Sequence, residues 1–284
     1  MSADSAPRAL GAHVAQLARY PVKACAAELL SEVEVGLTGL RNDRTMAVVA
    51  GGRVLTQREL PVLARIRPDL DDSTGRLTLW LTTAEGVDAP EPVQGVVRTD
   101  GRPVEVALFG ERVSVVEQSG AFSTWLTRVL GSPATLVAAP ETTWRTSPGE
   151  VAGRTVLADE ATVSLLSRAS LARLNEALAE QHRPPVAADR FRANILLDGC
   201  SAHAEDDARR IEAGSAVLRF AQLDARCVVT TVDQSRGERT GPEPLRTLSL
   251  YRRGSSGGVH FGVYAAVERA GVLRAGDPVT MRGE

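Results

Sequence analysis

The first third of the chain alternates short apolar and β-branched runs with Gly, Pro and Asp clusters. Residues 13–20 alternate in part and stop at Pro21, which predicts a strand entering a turn. Glu32-Val33-Glu34-Val35 and residues 45–50 predict two more strands. Gly51-Gly52 followed by Arg53-Val54-Leu55-Thr56 predicts a hairpin. Residues 77–81 and 113–116 read the same way, so this region is expected to form a barrel or sandwich. Helical spacing first appears at Phe122, Leu126, Val129 and Leu130, with Gly131 and Pro133 as stop signals.

Residues 140–153 are rich in Thr, Pro, Ser and Gly and read as a loop. Leu171, Leu174 and Leu178 share one face of an amphipathic helix over 170–181, which ends before Pro184-Pro185. Residues 195–197, 217–220, 227–232, 247–251, 260–267 and 279–281 are strand candidates. The second half is therefore also expected to be strand-rich, with one clear helix. No internal repeat, GxGxxG or Walker A loop is present, which removes support for the common nucleotide folds.

Composition narrows the classes. The chain has 284 residues and a net charge of -2, enough for two domains and too neutral for a general nucleic-acid binder. With 43% hydrophobic and 24% charged residues, a sizeable core is expected rather than disorder. The three cysteines, Cys25, Cys200 and Cys227, can form neither a paired disulfide framework nor a four-thiolate iron–sulfur site. No run approaches the ~18 apolar residues of a membrane span, and Met1 to Leu10 lack the apolar core of a secretory signal. The expectation is a cytoplasmic protein in a reducing compartment.

Candidate chemistry centres on Cys227, directly after Arg226 and at the head of the run Val228-Val229-Thr230-Thr231-Val232. A guanidinium beside a thiol favours the thiolate, the form that attacks electrophiles or binds a soft metal. The other reading is a small buried hydrophobe. Lys23, Arg41, Arg44, Arg190 and Arg192 stand beside turn signals, and two such cations with an Asn such as Asn194 would make a small anion site. Solvated surface charge is the alternative for each.

These residues also carry a resemblance. Tyr20-Pro21-Val22-Lys23, Gly39-Leu40-Arg41-Asn42-Asp43-Arg44 and Leu55-Thr56-Gln57-Arg58-Glu59 resemble the N-terminal β-barrel domain that precedes a MOSC domain. Residues 166–171 with Leu174-Asn175, then 190–194, then 226–233, resemble the MOSC domain itself. Residues 244–248, Phe261-Gly262 and 276–279 follow in the same order. The resemblance runs from about residue 13 to 282 and is nearest to the amidoxime-reducing group of that family. It implies a mainly β protein with some helices: an N-terminal β-rich barrel domain over 10–132 and a MOSC-type β-barrel over 135–284. It also implies binding of the molybdenum cofactor, a phosphate-bearing pterin that holds molybdenum through a dithiolene, in a groove between the two. Cys227 falls on the metal ligand and catalytic position. Lys23, Arg44, Arg192, Asn194 and Arg226 fall on cofactor contacts, and Tyr264 on a tyrosine near the cofactor.

Some positions depart from the family pattern. Asp224 stands where a second cysteine is common, which disfavours a persulfide relay; a turn cap or a proton donor are its two readings. Ala24 and Ala225 replace residues that are often polar. Cys25 and Cys200 read as packing thiols, and His260 as the one histidine near a family motif. The activity this implies is reduction of N-hydroxylated compounds, or related N-oxides and S-oxides, by oxygen-atom transfer. The partners are a small-molecule substrate and a separate electron donor: a reductase, ferredoxin or haem protein. Two alternatives stay open. One is a carrier of the molybdenum cofactor or of sulfur, without turnover. The other is a degenerate structural module.

Overall fold

A computed structural model describes residues 11–83, 88–255 and 257–283. Its largest element is an eight-stranded sheet. In spatial order the strands are Glu28–Leu30, His13–Arg19, Ile195–Asp198, Val163–Ser167, His260–Arg269, Ala216–Ala225, Arg210–Ala213 and Val279–Arg282. Its inner face buries Leu17, Val163, Leu165, Ile195, Leu197, Leu218 and Val263. A five-stranded closed barrel is built from Met46–Ala50, Arg53–Val54, Pro103–Leu108, Glu111–Glu117 and Thr135–Ala138. Among the described residues, no helix is long and apolar enough to cross a membrane.

The strand His13–Arg19 pairs antiparallel with Ile195–Asp198, placing Leu17 opposite Ile195. Glu32–Gly36 likewise pairs with Gly271–Arg274. The beginning of the chain is thus woven into the sheet of the second half, and the barrel begins only at Met46. The loops that leave these early strands are carried to the junction of the two units.

Local chemistry explains the helices. Gly120–Leu130 buries Phe122, Trp125 and Leu126 and ends on Gly131 at φ 69°. Arg168–Glu180 starts at Ser167, whose hydroxyl accepts from the Ser170 N–H at 3.0 Å.

Three expectations need correction. Residues 227–232 do not form a strand throughout. The strand ends at Ala225, and Val228–Thr231 is a 3-10 turn. The Thr230 hydroxyl donates to the Cys227 carbonyl at 3.0 Å and the Thr231 hydroxyl to the Val228 carbonyl at 2.7 Å. These local bonds satisfy carbonyls that a ladder would otherwise use. Residues 247–251 contribute to a short helix, Leu245–Leu248, where the Glu243 carboxylate accepts from the Thr247 N–H at 3.0 Å. The expected loop over 140–153 holds strand Arg145–Ser147, paired with Gly153–Thr155.

Candidate functional site

Two turns from the early strands supply the first cations. In one, Lys23 donates its N–H to the Met46 carbonyl at 2.8 Å, followed by Ala24 at φ 68°. In the other, Arg44 adopts φ 50° and donates its N–H to the Tyr20 carbonyl at 2.8 Å. Asp43 ties the two turns together by accepting from the Tyr20 N–H at 2.8 Å. The second half supplies Arg192, also left-handed at φ 53°, after the 3-10 turn Ala188–Phe191. A left-handed backbone is uncommon for residues with side chains and clusters at functional sites. The Arg44 and Arg192 guanidiniums lie 4.7 and 4.2 Å from the Tyr20 ring centroid.

These residues face one cleft of about 870 Å³, counted to its open mouth. Lys23, Arg44, Arg192, Asn194, Arg226, Cys227 and Tyr264 all line it. Six cationic side chains, with Arg58 and Arg190 added, face three carboxyl groups, Asp159, Glu160 and Asp224. The arrangement suits an anionic ligand.

The cations differ in how much binding capacity they retain. Asn194 is fully buried; its carbonyl accepts from Arg44 Nη1 and the Ser164 N–H, both at 3.1 Å, and its amide donates to the Ala18 carbonyl at 3.1 Å. Arg226 donates to the Phe261 and Phe191 carbonyls at 2.7 and 2.8 Å and pairs with Asp224 at 2.8 Å. Arg44 is held by Asp43 at 2.5 Å and by the Arg192 carbonyl at 3.0 Å. These three side chains brace the walls. Arg192 Nη1 donates to the Cys25 carbonyl at 2.8 Å, but its Nη2 is buried with no hydrogen-bond partner among the described residues. Such an orphan costs free energy unless a ligand meets it.

Electrostatics point the same way. Burial lowers Lys23, although Asp159 opposes the shift. Burial also lowers Arg192. Burial raises Asp159, but Lys23, Arg58 and Arg44 outweigh it, and the carboxyl ends below its ordinary range. Asp224 is pushed up to about 6 by burial, against Arg226 and hydrogen bonds from Ser164 and Tyr264. Tyr264 is held well above its ordinary value, first by burial and then by Asp224, and so stays a neutral hydroxyl.

Cys227 lines the cleft with an extended backbone, and Arg58 Nη2 lies 3.4 Å from its sulfur. Among the described residues it is the one cysteine of the lining. Cys25 is fully buried behind the wall, its thiol pushed up to about 12 by burial. Cys200 packs against the main core. His260 lines a neighbouring groove that shares only Glu160 and Ala225 with this cleft. Asp224 caps no turn: it is the next-to-last residue of the strand Ala216–Ala225 and the partner of Arg226 and Ser164.

Sequence reasoning gave no role to Arg58, Asp159 or Ser164. Asp159 pairs with Lys23 and lies 3.6 Å from Arg58. Arg58 lies within Leu55-Thr56-Gln57-Arg58-Glu59, directly after the expected hairpin, and that motif is its signal in the sequence. Asp159 and Ser164 had none, because a lone acid in a loop and a Ser in a strand look ordinary until they face something.

The chain matches the MOSC N-terminal beta barrel domain over residues 11–133 and the MOSC domain over residues 152–280. It is 32% identical to mitochondrial amidoxime-reducing component 1 of Homo sapiens, covering 95% of this chain and 83% of that protein. The Xenopus laevis protein of the same name is 31% identical over 94% of this chain and 81% of its own length. A molybdenum cofactor sulfurase of Danio rerio is 31% identical over 95% of this chain, which corresponds to 34% of that longer protein. Two domain matches in order, a closed barrel where the first places one, and relatives aligned along nearly the whole chain place this protein in the MOSC family.

Proposed function

We propose that the protein is a molybdenum-cofactor oxidoreductase that reduces N-hydroxylated compounds, or related N-oxides and S-oxides, by oxygen-atom transfer. The observation that carries this reading is the single cleft in which Arg192, with its unpartnered buried Nη2, and Lys23, paired there with Asp159, line the same space as the Cys227 thiol. The donor set fits the group: a thiolate is a soft ligand suited to a sulfur-bound metal, and a buried orphan guanidinium nitrogen suits a phosphate or a polar pterin edge. When bound, the cofactor supplies two-electron redox chemistry and a metal that accepts an oxygen atom. The overall change converts N–OH, two electrons and two protons into N–H and water.

The chain's own residues have separable roles. Cys227 holds the metal as a permanent ligand. Lys23 and Arg192 hold the anionic end, while Arg44, Asn194 and Arg226 keep the walls in register. Arg58 keeps the Cys227 sulfur oriented and adds positive charge there. Tyr264 and Asp224 present a hydroxyl and a readily protonated carboxyl to the cleft, suited to delivering protons. The electrons come from a separate reductase, ferredoxin or haem protein. The amidoxime-reducing relatives support this reading. The alternative, a carrier without turnover, is favoured by the sulfurase relatives; against sulfur relay, the cleft presents one thiol and places Asp224 near it.

The test is molybdenum per chain in protein from a host that makes the cofactor, beside Cys227→Ser. Near-stoichiometric metal that is lost or made labile in the variant is expected. Metal retention with no reduction of any N-hydroxy substrate assigns the carrier role. A folded, cofactor-replete preparation without molybdenum or pterin overturns both.

A further inference from the structure

The hairpin between strands Pro103–Leu108 and Glu111–Glu117 places an unusual residue beside the cleft. Leu108 pairs with Glu111, leaving Phe109 and Gly110 as a two-residue loop. Their φ values are 51° and 85°. Positive φ at both central positions is the type I′ geometry, whose first position favours Asn, Asp or Gly. An aromatic residue there carries backbone strain, and it recovers little by burial because 49% of its surface is exposed. Local turn chemistry and solvation both argue against Phe at this place.

What the ring gains is contact with the site. Lys23 Nζ lies over it, 5.0 Å from the centroid, and the Arg58 guanidinium at 5.2 Å. Both cations line the cleft, and Asp159 pairs with both. The same Arg58 guanidinium reaches Cys227 Sγ at 3.4 Å. One side chain therefore bridges the ring and the thiol, which flank the same guanidinium. Strain, exposure and position converge on a residue kept for what it touches.

We propose that Phe109 is a specificity-determining residue of the cleft, offering a stacking wall to the flat, π-bearing part of an N-hydroxylated substrate. The assignment rests on the proposed entry of such compounds into this cleft. Lys23 and Arg58 hold the ring in place, and its open surface receives the substrate's ring. Saturated, non-planar substrates gain nothing from it.

The experiment compares benzohydroxamic acid with acetohydroxamic acid, which share the N-hydroxy group and differ in the ring. Their dissociation constants are measured by titration calorimetry on cofactor-replete protein: wild type, Phe109→Asn and Phe109→Tyr. The wild type is expected to prefer the aryl compound. That preference falls about three- to tenfold in Phe109→Asn and survives in Phe109→Tyr. The melting temperature of Phe109→Asn holds or rises, because Asn relieves the left-handed position. An unchanged preference, equal weakening of both ligands, or no aryl preference in the wild type overturns the assignment. A lowered melting temperature with intact preference would make Phe109 structural and also overturn it. Molybdenum content of the same samples separates the two readings: full metal with unaltered preference defeats Phe109 alone, and absence of metal defeats the cofactor reading.

Discussion

A buried charge is tolerated only while its partners offset the lost hydration, and this cleft holds several charges near that limit. Asp224 shows the consequence. Its folded value of about 6 lies above the ordinary 3.8, so the folded protein binds that proton more tightly than the unfolded chain. Its contribution to stability is therefore complete below the ordinary value and is lost as pH rises through about 6. Asp224→Asn should gain stability relative to wild type between pH 4 and pH 7, by up to about 3 kcal/mol. The ionised pair with Arg226 is already contained in that shift, so replacing the protonated carboxyl by an amide adds only an offset that does not vary with pH. Chemical denaturation of both proteins at several pH values checks the trend, and a flat difference would place the titration elsewhere. At this scale Lys23, Arg44, Arg192 and Cys227 were legible because cations beside turns and a thiol beside an arginine are unusual locally. Arg58 and Asp159 were not, since their significance is a set of contacts with residues distant in sequence.

Elements carry these side chains through backbone irregularities. The strand His260–Arg269 shifts register against Ala216–Ala225 near Gly262, which adopts φ 77°. A Cβ there would sit 2.5 Å from the Leu165 carbonyl oxygen and 3.3 Å from Arg226 Nη2. The irregularity thus lets Arg226 pass beneath the strand and brace the loop that bears Cys227. Gly262→Ala should destabilise by ~2–4 kcal/mol and lower the melting temperature by roughly 5–15 °C. A thermal scan checks this, and near wild-type stability would mean the strand can relax without cost. Periodicity found both longer helices and fewer than half of the described strands, because alternation and 3.6-residue spacing are local; it passed over Ile66–Asp71, Pro103–Leu108, Val163–Ser167 and Arg210–Ala213, whose pairing partners alone mark them as strands. It misread residues 227–232, where β-branched composition favoured a strand but threonine hydroxyls closed a tight turn.

The whole molecule is assembled by exchange between the two ends of its sequence. Strand His13–Arg19 lies in the interior of the large sheet, between Glu28–Leu30 and Ile195–Asp198, and contributes Val14 and Leu17 to its core. The MOSC segment cut at residue 141 should therefore fail to fold cooperatively, leaving that core open and an edge strand unpaired. Adding back residues 11–44 as a separate peptide should restore part of the protection. Hydrogen exchange on the fragment, with and without the peptide, checks this; a well-protected fragment alone would show that the early strands are dispensable.

Strand content, the two longer helices, the family and the chemical character of the site were written in the chain itself, since they depend on residue type, local periodicity and short motifs. Which cations keep free hydrogen-bonding capacity, the part played by Arg58, the contact of Phe109 with Lys23 and Arg58 and the return of the first strand into the last sheet were decided only when the chain closed on itself. These features are contacts between segments far apart in sequence, and their energies come from burial and partner geometry that a linear pattern does not contain.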